Sequence, residues 1–256
     1  KKMILVIDAG NTTTVVGIFE GDNLLAHWRL SSILHTVDEL GIYLLNLLAT
    51  KNFKPSDIKG AAFASVVPFL DFSMTEAIKN YFGVTPLQVN AKTKTGMKIL
   101  VKNPNEVGAD RIVNAVAGRE KYGAPLIVVD YGTAITFDAV SPSGDYLGGP
   151  IAPGLQSGIS ALFSKAAKLP QVSLAIPENI IPQNTEQAIQ AGIVYGNAGL
   201  TDRIIELMRK NPELENAKVV ATGGHALLMK KVSQNINILD SWLTLEGLKI
   251  IFSMNN

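Results

Sequence analysis

Two α/β domains of similar build, set in tandem, are the fold class this sequence predicts. Three observations predict it. Leu126-Ile127-Val128-Val129 is an unbroken apolar run that ends in Asp130-Tyr131-Gly132-Thr133, the pattern of a strand buried on both faces whose last residue leaves the core. The same pattern opens the chain, where Met3 to Ile7 leads into Asp8-Ala9-Gly10-Asn11. Around each copy, short apolar runs alternate with stretches of helical periodicity.

Aligned on their acids, the two copies match Asp8 with Asp130, Gly10 with Gly132, Asn11 with Thr133 and Thr14 with Thr136. One copy begins the chain and the other lies near its midpoint, as a duplicated domain would leave them. Each reads as strand, Asp-x-Gly turn, strand: a hairpin with a polar tip. Two unrelated hairpins whose turns happen to contain Asp and Gly are the simpler reading, and threonines at the same places in both copies weigh against it. The boundary is placed after residue 117, giving domains 1–117 and 118–256, with a last helix from Trp242 that could pack back on the first domain.

At 256 residues the chain suffices for two such domains. An apolar content of 47% supports a sizeable core, and a net charge of +1 gives no electrostatic case for nucleic acid or an anionic membrane. Its apolar runs fall short of the ~20 residues a membrane helix needs, and no basic segment followed by an apolar one opens it. The absence of cysteine excludes disulfides, thiolate catalysis and thiolate metal sites, and fits a cytoplasmic location. His27, His35 and His225 are too far apart in sequence to suggest a metal site.

In chain order, Leu24 to Leu30 is expected to be a third strand and Asp38 to Ala49 a helix with Leu40, Tyr43, Leu44, Leu47 and Leu48 on one face. A strand over 60–68, a helix from Phe69 to Tyr81 ended by Gly83, and a short strand from Pro86 to Val89 complete a βββαβαβ half. Asp110 and Arg111 fall at the N-terminus of a helix running to Lys121. After the strands at 126–130 and 136–140, Gly144 to Tyr146 reads as a turn, and 148–154 as too rich in Gly and Pro for any regular element. A helix over 155–167, a loop over 168–184 with three prolines, and a long helix from Thr185 to about Lys210 follow. Gly192 and Gly196 within it permit close packing, including against a partner chain. Lys218 to Thr222 is a strand entering a Gly-Gly turn, and helices over 225–233 and 242–252 end the chain.

Three Gly-containing polar turns therefore follow three strands, at Asp8, Asp130 and Thr222. Asn and Thr donors in a hairpin tip can grip phosphates. A carboxylate beside phosphate repels it unless a cation lies between, so Asp8 or Asp130 implies Mg²⁺ or another ion. A Gly-Gly turn lets an adenine or ribose lie flat against backbone. Asp110 reads equally as a plain helix cap or as part of an anion site at a helix N-terminus; Arg111 is harder to explain by capping, because a cation is disfavoured at that end of a helix.

These turns resemble those of the acetate-kinase, sugar-kinase and actin superfamily. The set DAGNTTT (8–14), NPNEVGADR (103–111), DYGTAIT (130–136), GGPIAPG (148–154), AKLP (167–170), NTEQAIQAG (184–192) and ATGG (221–224) resembles the type III pantothenate kinases in the same order, from about Ile4 to Gly224. The resemblance implies two tandem ribonuclease H-like (actin-like ATPase) domains with a nucleotide cleft between them, and ATP-dependent phosphorylation of pantothenate, the first step of coenzyme A synthesis. It further implies that Asp8, Ala9, Gly10, Asn11, Thr12, Thr13, Thr14 and Val15 hold the ATP phosphates, with Asp8 near Mg²⁺ and Thr133 adding a contact. Asp130 would bind the monovalent cation, K⁺ or NH₄⁺. Val101 and Gly108, Ala109, Asp110 and Arg111 would line the pantothenate pocket. Asp110 would take the hydroxyl proton, and Thr185 would reach the substrate from the other subunit of a homodimer.

Two departures stand out. Val101 occupies a position where the family often carries an aromatic residue, which changes a pocket wall. The first hairpin has no Lys among its threonines, leaving phosphate charge to backbone, hydroxyls and cation. The rival expectations are another small-molecule kinase or a polyphosphate hydrolase of the same superfamily, and a non-catalytic accessory regulator of transcription. Retention of Asp8, Asp110, Arg111 and Asp130 weighs against the last, and no nucleic acid or membrane partner is expected.

Overall fold

The computed structural model describes residues 2–32, 36–165 and 172–256. The chain divides into two compact units, one made of residues 1–97, 102–117 and 243–256, the other of 98–101 and 118–242. The stretch 98–101 thus belongs with the second unit, although it lies well before residue 117. It pairs there with the second sheet, through a bridge from Ile99 to Tyr146.

In the first unit, β1 (Met3–Ala9), β2 (Thr13–Glu20) and β3 (Asn23–Ser31) form an antiparallel meander. Beyond α1 (Val37–Ala49), β4 (Ile58–Ser65) lies parallel to β1. Beyond α2 (Pro68–Phe82), β5 (Leu87–Gln88) lies parallel to β4. The order is β3-β2-β1-β4-β5. Strand β1 is buried on both faces. Met3, Leu5, Ile7 and Ala9 join Leu40, Leu44, Leu48, Met74 and Ile78 of α1 and α2 in one core cluster, where each large apolar side chain contributes about 1.5–3 kcal/mol.

The opposite face receives the last helix, α7 (Leu243–Met254). Gly17 and Gly60 make room for it, since β-carbons there would run into Leu245 and the Phe252 ring. Helix α1 starts in a capping box, with Glu39 N–H donating to Thr36 Oγ1 and Thr36 N–H donating to Glu39 Oε2. Helix α2 stops at Gly83, in the left-handed region at φ 69°.

The second unit repeats the plan. β6 (Leu126–Tyr131) and β7 (Ala134–Val140) form the central hairpin, and β8 (Tyr146–Gly148) and β9 (Ile151–Pro153) both pair with β7. β10 (Lys218–Thr222) lies parallel to β6 and β11 (Ile238–Leu239) parallel to β10, giving β11-β10-β6-β7-β8. Counted from the meander edge, both sheets run third, second, first, then the two parallel strands. α4 (Leu155–Lys165), α5 (Thr185–Met208) and α6 (Ala226–Lys230) supply Leu155, Ala198, Ile205 and Met229 to the core over Ile127, Val129 and Tyr131. α3 (Ala109–Tyr122) leads into this unit, and its Gly118 lies over Leu126 and Val128.

Several expectations need correction. Tyr146 is not part of a turn but starts β8, and the Gly- and Pro-rich 148–154 segment contains β9. Pro150 carbonyl accepts from Phe137 N–H at 3.0 Å, so prolines that cannot donate still serve as ladder acceptors. The expected helix over 225–233 is confined to α6, and β11 lies in the segment after it. The expected end of α4 at 166–167, the AKLP motif and the first residues of the 168–184 loop lie outside the described residues, as does His35. The match of Thr14 with Thr136 is off by one. The first tip is Gly10–Thr12 and the second Gly132–Thr133, so Asp8 faces Val15 across its hairpin, whereas Asp130 faces Thr136.

Candidate active site

In the first unit the polar residues gather where β1 and β4 end. Val66 N–H donates to Ala9 carbonyl at 3.1 Å, holding the two strand ends together. Gly10 N–H donates to Thr13 carbonyl at 3.1 Å and closes the tip. Ser32 braces it from the end of β3: its N–H donates to Thr12 carbonyl at 3.0 Å, and its hydroxyl lies 2.8 Å from Thr14 Oγ1. Thr14 is therefore only 5% exposed, with its hydroxyl committed to Ser32, whereas Asn11 and Thr12 are exposed and Thr13 half-buried. Asp8 is half-buried at the end of β1, and Val15 lies in β2 opposite it.

Helix α3 begins beside this edge. Gly108 carbonyl accepts from Arg111 N–H at 3.1 Å and Ile112 N–H at 3.2 Å, the first bonds of the helix. A β-carbon placed on Gly108 would lie 3.6 Å from Val66 Cγ1, so Val66 stands between the GADR segment and the β1 end. Asp110 turns back over Gly108, and its Oδ1 accepts from Arg111 N–H at 2.8 Å. Burial pushes the Asp110 carboxyl above the usual carboxylate range. The Arg111 N–H bond, the Arg111 guanidinium and Asp110's own N–H oppose that shift. A half-buried acid at a helix N-terminus, followed by an arginine, is equipped to orient a hydroxyl and accept its proton.

In the second unit the β6–β7 tip is held from two sides. Thr133 carbonyl accepts from Gly154 N–H at 3.1 Å and from Ser157 Oγ at 2.8 Å, both at the start of α4. A side chain on Gly154 would strike the Gly132 and Thr133 carbonyls. Asp130 Oδ1 lies where a β-carbon on Gly223 would be. Behind the tip, the buried Tyr131 hydroxyl donates to Thr201 Oγ1 at 2.9 Å, and burial raises its pKa. Gly224 and His225 line a cavity of about 700 Å³ together with Gln156, Ser173, Leu174 and Leu228. Burial lowers the His225 pKa, favouring a neutral ring. Val101 is half-buried against Gly148, and Thr185 is the exposed first residue of α5, capped by Asn184 Oδ1 accepting from Gln187 N–H at 2.8 Å.

The structure brings the 8–15 segment and 108–111 to neighbouring ends of one unit, and Asp130, Thr133 and the Gly-Gly turn together in the other. Sequence reasoning missed Ser32, Gly154 and Ser157 as braces of the two tips. Gly154 closes the GGPIAPG motif and was detectable in principle; Ser32 and Ser157 carry no local signal. Among the described residues no cluster of three or more His, Asp or Glu could hold a metal. Asp8 and Asp130 each carry carboxylate oxygens, the donor type that hard cations take. No helix among the described residues is long and apolar enough to cross a membrane.

The fold is that of two-domain sugar kinases. A ROK hexokinase from Thermus thermophilus superposes with a TM-score of 0.51 over 99% of both chains at 13% identity. A conserved Baf family protein from Campylobacter jejuni, named for transcriptional activation, does so at 0.62 over 98% of both chains at 22% identity. Within that class the sequence is more specific. The family model of type III pantothenate kinase matches residues 4–207. The type III pantothenate kinase of Myxococcus xanthus is 48% identical over 99% of both chains, and that of Listeria welshimeri is 47% identical over 99% of this chain and 98% of its own. The chain belongs to the type III pantothenate kinase family.

Proposed function

We propose that this chain carries out the reaction of its family, ATP-dependent phosphorylation of pantothenate to 4'-phosphopantothenate at the entry to coenzyme A synthesis, with Asp110 as the base. The observation that carries the assignment of the base is the Asp110 carboxylate: half-buried, aimed back over Gly108 and held by Arg111 N–H at 2.8 Å. The primary hydroxyl oxygen of pantothenate attacks the γ-phosphorus, the new O–P bond forms in line with the bond that breaks, and the electron pair leaves with ADP. The hydroxyl proton passes to Asp110. In a loose transition state that transfer is late, so the carboxylate chiefly orients the hydroxyl. Arg111 meets the negative charge of the substrate, and Gly108 and Ala109 line its pocket.

The exposed Asn11 and Thr12, with Thr13 and the backbone of 8–15, hold the phosphates, and Thr133 adds a contact. Mg²⁺ bound with ATP would neutralise phosphate charge, with Asp8 as its protein ligand. Asp130 would hold K⁺ or NH₄⁺. The cavity beside Gly224 is of a size for a nucleoside, and the flat Gly-Gly turn suits a base or ribose. Exposed Thr185, and the open space beside Gly192 and Gly196 on the same helix, support a homodimer in which Thr185 reaches the partner's substrate.

An ADP-release assay tests this. ATP, pantothenate and K⁺ should give turnover, Na⁺ in place of K⁺ should give little, and ATP without an acceptor almost none. Equal ADP release with and without pantothenate would mark a hydrolase instead, and no release under any condition would mark a non-catalytic relative.

A further inference from the structure

We propose that Gly108 is a positioning residue for Asp110: the side chain missing at 108 leaves the space in which the Asp110 carboxylate is held. A β-carbon there would lie 2.5 Å from Asp110 Oδ1, a separation that real β-carbons essentially never show. Its other neighbours, Asp110 Cγ and Val66 Cγ1, stand at 3.6 Å, ordinary contact. The backbone at this position does not demand glycine. Gly108 is not among the glycines with left-handed backbone, so its φ is open to any residue. Its carbonyl starts α3, which any residue's carbonyl can do. Gly108→Ala adds a methyl to the wall of the proposed pocket, and it has one specific consequence for the acid. The carboxylate must swing off its bond with Arg111 N–H, and with it off the pose that orients the acceptor hydroxyl.

This inference rests on reading Asp110 as the base, and the experiment separates the two. A double-mutant cycle on the full chain compares wild type, Gly108→Ala, Asp110→Ala and the double variant, by Tm and by steady-state kinetics. Gly108→Ala should lower kcat on the order of tenfold to a hundredfold, the scale of a misplaced reacting group, with KM for ATP close to that of wild type. It should also lower Tm by about 2–4 °C more when Asp110 is present than on the Asp110→Ala background. Effects on the helix cap and on the unfolded chain are common to both backgrounds and drop out of the difference. Equal Tm losses on both backgrounds, or wild-type kcat in Gly108→Ala, would overturn the proposal. If Gly108→Ala does not fold, recovery of folding in the double variant supports it and failure of both overturns it. Wild-type turnover by Asp110→Ala would instead remove the base assignment, and the coupling would still be read from Tm.

Discussion

Asp130 Oδ1 occupies the volume into which a β-carbon on Gly223 would project. The acid at the end of β6 and the glycine that follows β10 are thus fitted to one another across neighbouring parallel strands, where Thr222 is the register partner of Asp130. The carboxylate proposed to hold the monovalent cation has its position set by a residue that offers only backbone.

Gly223→Ala should be among the most damaging single-methyl additions in the chain. It forces a side chain onto a φ of 92° and against both Asp130 Oδ1 and the Tyr131 backbone. Backbone strain of this kind costs on the order of 1–3 kcal/mol, so thermal melts should show a Tm loss of several degrees. Wild type should melt higher in K⁺ than in Na⁺, and Gly223→Ala should lose that difference. An unchanged response to K⁺ would separate Gly223 from the cation.

Asp110→Asn keeps the shape and the acceptor for Arg111 N–H but cannot take a proton. Turnover should fall on the order of 10²–10⁴-fold, the usual contribution of a positioned base. Calorimetry should still detect ATP binding. Comparable turnover by this variant would take Asp110 out of the mechanism.

The same acid sets a pH signature with a definite sign. Its folded-state pKa is raised by burial, so the native state holds the proton more tightly than the unfolded chain does. Across the window between the ordinary and the raised value, stability falls as pH rises. Above the raised value the wild type carries that penalty in full, and Asp110→Asn is free of it. Scanning calorimetry over a pH series should find Asp110→Asn gaining stability relative to wild type as pH rises through that window, and losing the advantage as pH falls back through it. The acid limb of kcat should lie above the usual carboxylate range for the same reason.

Ser157→Ala removes the hydroxyl that donates to Thr133 carbonyl at 2.8 Å while leaving Gly154 N–H on the same oxygen. A net loss of about 1 kcal/mol in holding the tip corresponds to about a fivefold change. It should appear in KM for ATP, with kcat nearly intact. A change confined to KM for pantothenate would place the second hairpin elsewhere in the reaction.

Tyr131→Phe deletes the hydroxyl that satisfies Thr201, which is fully buried. It should cost about 1 kcal/mol and lower Tm by about 2–4 °C, with kinetics near wild type, since the pair lies behind the tip. Melting curves and the ADP assay check both halves.

Much of this was legible in the residues. The buried runs at 3–7 and 126–129 are apolar on both faces because helices cover both, and that pattern survives in one dimension. Asp110 and Arg111 were placed at a helix start because Gly108 and the periodicity after it mark one. What escaped notice depends on distance in space. β9 follows Pro150, whose carbonyl accepts from Phe137 N–H, and ends on Pro153, a composition that reads as loop. The hydroxyls of Ser32 and Ser157 have partners 18 and 24 positions away. The fit of Gly223 to Asp130 and of Gly108 to Asp110 required side-chain coordinates, because a glycine's reason lies in the atom it leaves room for.

The unequal hairpin tips have a consequence for how the chain tolerates change. The first tip spans Gly10–Thr12 and the second only Gly132–Thr133, yet Asp8 faces Val15 and Asp130 faces Thr136, and both return strands alternate in the same phase. A residue gained or lost in a tip is absorbed there, and no side chain of the strand beyond it changes face. Loop length at these two points is free to vary while the sheets behind stay in register.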